Sequence, residues 1–121
     1  ISFIENCKEM PLAYKLSDLV ISSSIEPEAF GRVAVEAQAM IKPIVASNIG
    51  GSRETVLNGR SGLLYKYNDQ KELAKAMNKI MEMDKNSLRL MGELGRKNAE
   101  KKYNVDQMCQ TTFTEYKKLL K

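Results

Sequence analysis

Apolar and polar positions change period several times along this chain, and each change marks an element. Ile1-Ser2-Phe3-Ile4 alternates as a short strand does. Met10 to Ser17 has helical spacing, with Pro11 tolerated in a first turn. Leu19 to Ser24 is an apolar run that ends in serines and predicts a second strand. The stretch from Gly31 to Ile41 contains no breaker and predicts a helix stopped by Pro43. Ile44 to Ala46 predicts a third strand, closed by the turn residues Ser47-Asn48-Ile49-Gly50-Gly51. Ser52 is placed to cap a short helix over Arg53 to Leu57. Asn58-Gly59 then predicts a turn and Gly62 to Tyr65 a fourth strand.

The last third is helical throughout. Leu73, Ala76, Met77, Ile80 and Met81 give one amphipathic helix over Gln70 to Met83. Asn86 or Ser87 opens a second, carrying Leu88, Met91, Leu94, Ala99 and Tyr103. A third starts near Val105 and carries Met108, Cys109, Thr112, Phe113, Tyr116, Leu119 and Leu120. Strands alternating with helices predict an α/β fold, a Rossmann-like parallel sheet with helices on both faces. Residues 1–66 form the sheet and its loops, and residues 70–121 form covering and terminal helices, together a single partial domain. Such sheets bind ligands beyond the carboxyl ends of their strands. Ser22 to Gly31, Ser47 to Gly51 and the loop after Ile4 should therefore face one crevice, with the final helices outside it.

Composition narrows the chemistry. The chain has 121 residues, 43% of them hydrophobic and 28% charged, which suits one domain with a real core. The absence of histidine removes the commonest general base and makes zinc chemistry improbable. Cys7 and Cys109 are isolated thiols rather than a disulfide framework, and no apolar run is long enough to span a bilayer. The chain reads as cytoplasmic. Ile1 opens on a strand-like segment with neither leader nor initiating Met, as in a piece of a longer protein. A net charge of +4 suits a phosphate-bearing ligand, an acidic membrane surface or nucleic acid. The cations are mixed with acids, as on a solvated helix face, and no basic stripe with interleaved aromatics points to nucleic acid.

Glu28-Ala-Phe-Gly-Arg-Val-Ala-Val-Glu36 carries the strongest chemical signal, two carboxylates around a Phe-Gly turn that leads into a helix. The first amides of a helix lack internal acceptors, and the helix dipole favours an anion there. Phe30, Gly31, Arg32 and Val33 can therefore present N–H groups to a phosphate, which Gly31 lets approach closely. Arg32 is one candidate cation, and a solvent-pointing side chain is the other reading. Glu36 can accept hydrogen bonds from a ribose diol. Its mostly apolar surroundings argue that the charge has a partner. Glu28 can reach a reacting sugar, and read alone it equally suits the helix dipole. Paired carboxylates also suit a glycosidase, which needs no phosphate-binding helix start. Neither G-x-G-x-x-G nor G-x-x-x-x-G-K-[ST] occurs.

These residues resemble the retaining, nucleotide-sugar-dependent glycosyltransferases of family 4, which have the GT-B fold of two Rossmann-like domains. The resemblance rests on Ser24, Pro27-Glu28-Ala-Phe-Gly31, Glu36-Ala-Gln-Ala-Met40, Pro43-Ile-Val45, Gly50-Gly-Ser-Arg-Glu54 and Asn58-Gly-Arg-Ser-Gly62, in that order. It implies that Glu28 is the catalytic residue at the donor sugar. Phe30, Gly31, Arg32 and Val33 would offer amides to sugar and diphosphate, and Glu36 would bind the ribose. Weaker transfers are Phe3, Glu5 and Asn6 near the nucleobase, Ser24, and Gly50 and Gly51, which more readily shape a neighbouring loop together with Glu54. Ala29 and Ile41 stand where the family commonly has glycine, and Ile41 leaves the helix end without its usual cap.

The resemblance further implies transfer from a nucleoside-diphosphate sugar, with no cofactor and no required metal. It also implies a partner N-terminal domain that holds the acceptor, and a diphosphate-neutralising Arg and Lys upstream of the matched region. The chain alone is then expected to be inactive. Arg32 after Phe-Gly and the Glu-Ala-Gln-Ala run are similar to enzymes of bacterial lipopolysaccharide or other surface-glycan synthesis. A non-catalytic nucleotide-sugar-binding module is the alternative. The last helix, with Lys117, Lys118 and Lys121 beside its apolar stripe, admits peripheral contact with the inner membrane face. Packing on the chain's own body or the N-terminal domain is the favoured reading, with self-association of a fragment as its corollary.

Overall fold

A computed structural model describes all 121 residues. Nine elements follow in order: α1 (Met10–Leu16), β1 (Val20–Ser22), α2 (Arg32–Ala39), β2 (Ile44–Ser47), α3 (Ser52–Thr55), β3 (Gly62–Tyr65), α4 (Gln70–Met81), α5 (Lys85–Lys102) and α6 (Val105–Leu119). The three strands form one parallel sheet in the order β1-β2-β3. Val20 pairs with Ile44 and Ile44 with Gly62, so all three strands end together near Ser22, Ser47 and Tyr65.

The central strand β2 is buried on both faces, and its alternation divides the core in two. Ile44 and Ala46 pack with Tyr14 of α1 and with Ala34 and Ala37 of α2. Val45 packs on the opposite face with Leu63, Tyr65, Ile80 of α4 and Met91 of α5. Continuous apolar strands are what a parallel sheet covered on both sides requires. This is the predicted Rossmann-like architecture, with one strand fewer. Ile1 to Ile4 pairs with no strand, and Ile1, Phe3 and Ile4 are largely exposed. Alternation within four residues is a local signal, whereas a strand exists only through its ladder partners.

Three boundaries shift for identifiable reasons. Helix α3 begins at Ser52, with Gly51 at its cap position, so Ser52 does not cap it. Helix α5 is capped by Asp84, whose Oδ1 accepts from the amides of Asn86 and Ser87 at 2.9 and 3.0 Å. Helix α2 ends in a Schellman arrangement despite its lack of glycine. Lys42 N–H bonds to the Ala37 carbonyl at 2.9 Å and Ile41 N–H to the Gln38 carbonyl at 3.0 Å, while Ile41 takes a left-handed φ of 59°. A β-branched residue there is strained, by about 1–2 kcal/mol.

A buried polar network holds α2 against α5. Gln38 donates to the carbonyls of Ala34 and Thr55 at 3.0 and 2.9 Å. Asn98 of α5 donates to Gln38 Oε1 and to the Thr55 carbonyl, each at 3.1 Å. All three side chains are buried, so the network fixes the rotation of α2 about its axis. That rotation decides where Arg32 and Glu36 point.

Candidate donor site

The loop from Ser23 to Gly31 leaves the end of β1 and delivers Gly31 to the start of α2. Gly31 has φ 76° and ψ 56°, a left-handed conformation that turns the chain into the helix. Its carbonyl accepts from Ala34 and Val35. The amides of Phe30, Gly31, Arg32 and Val33 donate to no protein acceptor. Four consecutive open N–H groups at a helix start form a ready cradle for an anion.

A second loop pins this one. The Gly51 amide donates to the Glu28 carbonyl at 2.8 Å. A Cβ on Gly50 would lie 2.5 Å from the Glu28 carbonyl oxygen, and one on Gly51 would lie 2.4 Å from the Phe30 carbonyl carbon. The Gly50-Gly51 pair therefore permits the close stacking of the two strand-end loops. Glu54 is exposed and offers its backbone carbonyl, not its carboxylate, to the Tyr103 hydroxyl at 3.0 Å.

The carboxylates flank the cradle in different surroundings. Glu28 is exposed and accepts a hydrogen bond from the Ser24 hydroxyl. Glu36 has the partner its apolar helix called for, and more than one. The Tyr14 hydroxyl donates to its Oε2 at 2.8 Å and Arg32 to its Oε1 at 3.0 Å. Burial, reinforced by the adjacent Glu36 carboxylate, pushes the Tyr14 phenol up to about 12, so it remains a donor at any physiological pH. Arg32 and Glu36 line one wall of a cavity of about 430 Å³, closed on the other side by Met10, Pro11 and Tyr14 of α1. No three His, Cys, Asp or Glu side chains cluster closely enough to hold a metal ion.

The structure thus brings together Ser24, Glu28, Phe30, Gly31, Arg32, Val33, Glu36, Gly50 and Gly51. Phe3, Glu5 and Asn6 are exposed, belong to no element and make no hydrogen bond to the site loops. The expectation that the final helices lie wholly outside the site also needs correction. Tyr103, at the end of α5, meets the Phe30 ring edge-on with centroids 5.4 Å apart. An 18-residue helix is about 27 Å long, enough to carry Tyr103 to the site loops. Tyr14 was not among the sequence candidates. Its only signal was a tyrosine at the apolar position of a predicted helix, together with the need of Glu36 for a partner.

The architecture matches that of the C-terminal domains of GT-B glycosyltransferases. Residues 1–98 match the family described as glycosyl transferases group 1, and the chain belongs to that family. A glycosyltransferase of Rickettsia africae superposes with TM-score 0.86 at 34% identity, over 96% of this chain and 31% of that one. Anabaena HepE, solved in complex with UDP and glucose, superposes with TM-score 0.84 at 30% identity, over 93% of this chain and 30% of that one. The capsular polysaccharide biosynthesis glycosyltransferase CapM of Staphylococcus aureus is 32% identical over 94 residues, covering 78% of this chain and 24% of CapM. The chain spans under a third of the length of each of these relatives. No helix is long and apolar enough to cross a membrane.

Proposed function

We propose that this chain is the donor-binding part of a retaining glycosyltransferase. The complete protein moves a sugar, a hexose in this reading, from a nucleoside-diphosphate sugar to an acceptor in surface-glycan synthesis, lipopolysaccharide included. One observation carries the reading: four open amides at the start of α2 lie between two carboxylates that other side chains already hold. The diphosphate sits on the amides of Phe30, Gly31, Arg32 and Val33. Glu36 takes the ribose diol, and Glu28 takes hydroxyls of the donor sugar. The UDP and glucose held by HepE support a nucleotide-sugar ligand, and the name of CapM supports a surface glycan.

In the transfer step the acceptor oxygen bonds to the anomeric carbon on the face the diphosphate leaves. The nucleoside diphosphate departs with the bonding electron pair, and the acceptor proton passes to the departing phosphate oxygen. Negative charge grows on that oxygen, where the helix amides stabilise it. A helix terminus contributes about 0.3–1 kcal/mol, rising to about 2 when partly buried, too little for a diphosphate. Cations from a second, N-terminal domain supply the rest, and no metal is required of this chain. The isolated chain therefore binds the nucleotide only weakly and does not transfer sugar. The complete protein works in the cytoplasm, with peripheral contact at the inner membrane face.

Sugar transfer by the complete gene product, with Glu28→Gln and Glu36→Gln variants, tests this. Glu28→Gln is expected to lower kcat, and Glu36→Gln to raise the donor KM. Undiminished transfer in both variants, with nucleotide binding retained, would favour a non-catalytic role for this site.

A further inference from the structure

Resting on the donor-site reading above, we propose that Tyr14 is a positioning residue for donor recognition. Its hydroxyl locks the Glu36 carboxylate so that Oε1 faces the incoming ribose diol. The two groups that hold Glu36 differ in kind. Tyr14 is 5% exposed, and its ring is embedded among Ala34, Ala37, Ile44 and Ala46, so the hydroxyl is set by the core. Arg32 has a side chain 82% exposed and meets Glu36 from four residues earlier in the helix. Exposed pairs of this spacing hold only weakly, and the order with the acid last is the weaker one.

A ligand hydroxyl that needs Oε1 therefore displaces Arg32 at little cost, while Tyr14 keeps Oε2. Glu36, Arg32 and Tyr14 all line the same cavity of about 430 Å³, so the lock operates where a ligand has room to enter. The phenol, pushed up to about 12, does not titrate away in the working range. The released Arg32 guanidinium stands one residue from the Gly31 amide and is free to meet a phosphate.

Tyr14→Phe keeps the buried ring and removes only the lock. By isothermal titration, the chain should bind a panel of ribonucleoside diphosphates about two- to tenfold more weakly, the factor for freezing one side chain on binding. The matching 2′,3′-dideoxynucleoside diphosphates, which offer Glu36 no diol, should bind wild type and variant alike. In the complete gene product the donor KM should rise by a similar factor with kcat unchanged. Equal weakening of the ribo and dideoxy ligands overturns the role of Tyr14 and leaves the donor site standing. A wild-type chain that binds no nucleoside diphosphate overturns the donor-site reading, and this inference with it. One readout needs neither variant nor ligand: the scalar couplings of the Glu36 side chain should report a single rotamer. Averaged couplings overturn the lock directly.

Discussion

Gly51→Ala tests how the two strand-end loops hold the anion cradle. Gly51 has φ −62° and ψ −21°, which alanine adopts freely, so the backbone does not resist the change. Space does. The new Cβ would meet the Phe30 carbonyl carbon, carbonyl oxygen and Cα at 2.4, 2.5 and 2.7 Å, and ordinary contact starts at 3.4 Å. The Phe30–Gly31 peptide must retreat by about 1 Å, and it carries one of the four open amides. Overpacking of this kind costs about 1–3 kcal/mol, and the reduced unfolded-state entropy of alanine offsets about 0.4–1. A net loss of about 1–2 kcal/mol is expected in urea denaturation.

Gly59→Ala is the matched control. Gly59 has φ 78°, so alanine there is strained by about 1–2 kcal/mol before the same unfolded-state offset, yet nothing lies within 4 Å of the added Cβ. The two variants should lose similar stability. Only Gly51→Ala should weaken nucleoside-diphosphate binding, by about two- to fivefold as the helix-terminus contribution is lost. Transfer by the complete gene product should fall by about 10²-fold for a 1 Å displacement. The reasoning fails if Gly51→Ala binds as tightly as wild type, or if Gly59→Ala weakens binding equally.

Two further substitutions probe α2 and its supports. Ile41→Gly removes about 1–2 kcal/mol of left-handed strain at the helix end, offset by the greater backbone entropy of glycine and by about 1 kcal/mol of packing of the half-buried side chain against Gly92 of α5, and should leave the thermal midpoint nearly unchanged. Asn98→Ala leaves the buried Gln38 Oε1 without its donor and should cost about 1–3 kcal/mol, read as a lower urea midpoint at unchanged m-value.

What the sequence made legible was local. The breaker-free run after Gly31 set α2, the apolar runs at Ile44 and Gly62 set β2 and β3, and the open amides followed from the turn that precedes the helix. Pairings across the chain were not legible. Ile1 to Ile4 has the pattern of a strand, but pattern cannot supply a ladder partner. The Tyr14–Glu36 bond spans 22 residues and depends on how α1 and α2 face each other, which helical periodicity leaves undetermined. The contact of Tyr103 with Phe30 depends on the path of α5 across the fold. The need for a partner at Glu36 was readable from its apolar neighbours, because a charge there must be compensated wherever the compensation comes from. Ile41 shows the converse: hydrogen bonds closed the helix end in a Schellman arrangement even with an unsuitable side chain, so geometry outweighed residue preference.

The central claim is that the amides opening α2 receive the diphosphate of a nucleotide sugar. An amide-resolved NMR titration of the chain with a panel of nucleoside diphosphates tests it most directly. Saturable shifts should concentrate on Phe30, Gly31, Arg32 and Val33, with Glu36 responding in step and the backbone of α4 silent. Absence of any shift at these amides at millimolar nucleotide, or shifts centred on another part of the chain, would contradict the account.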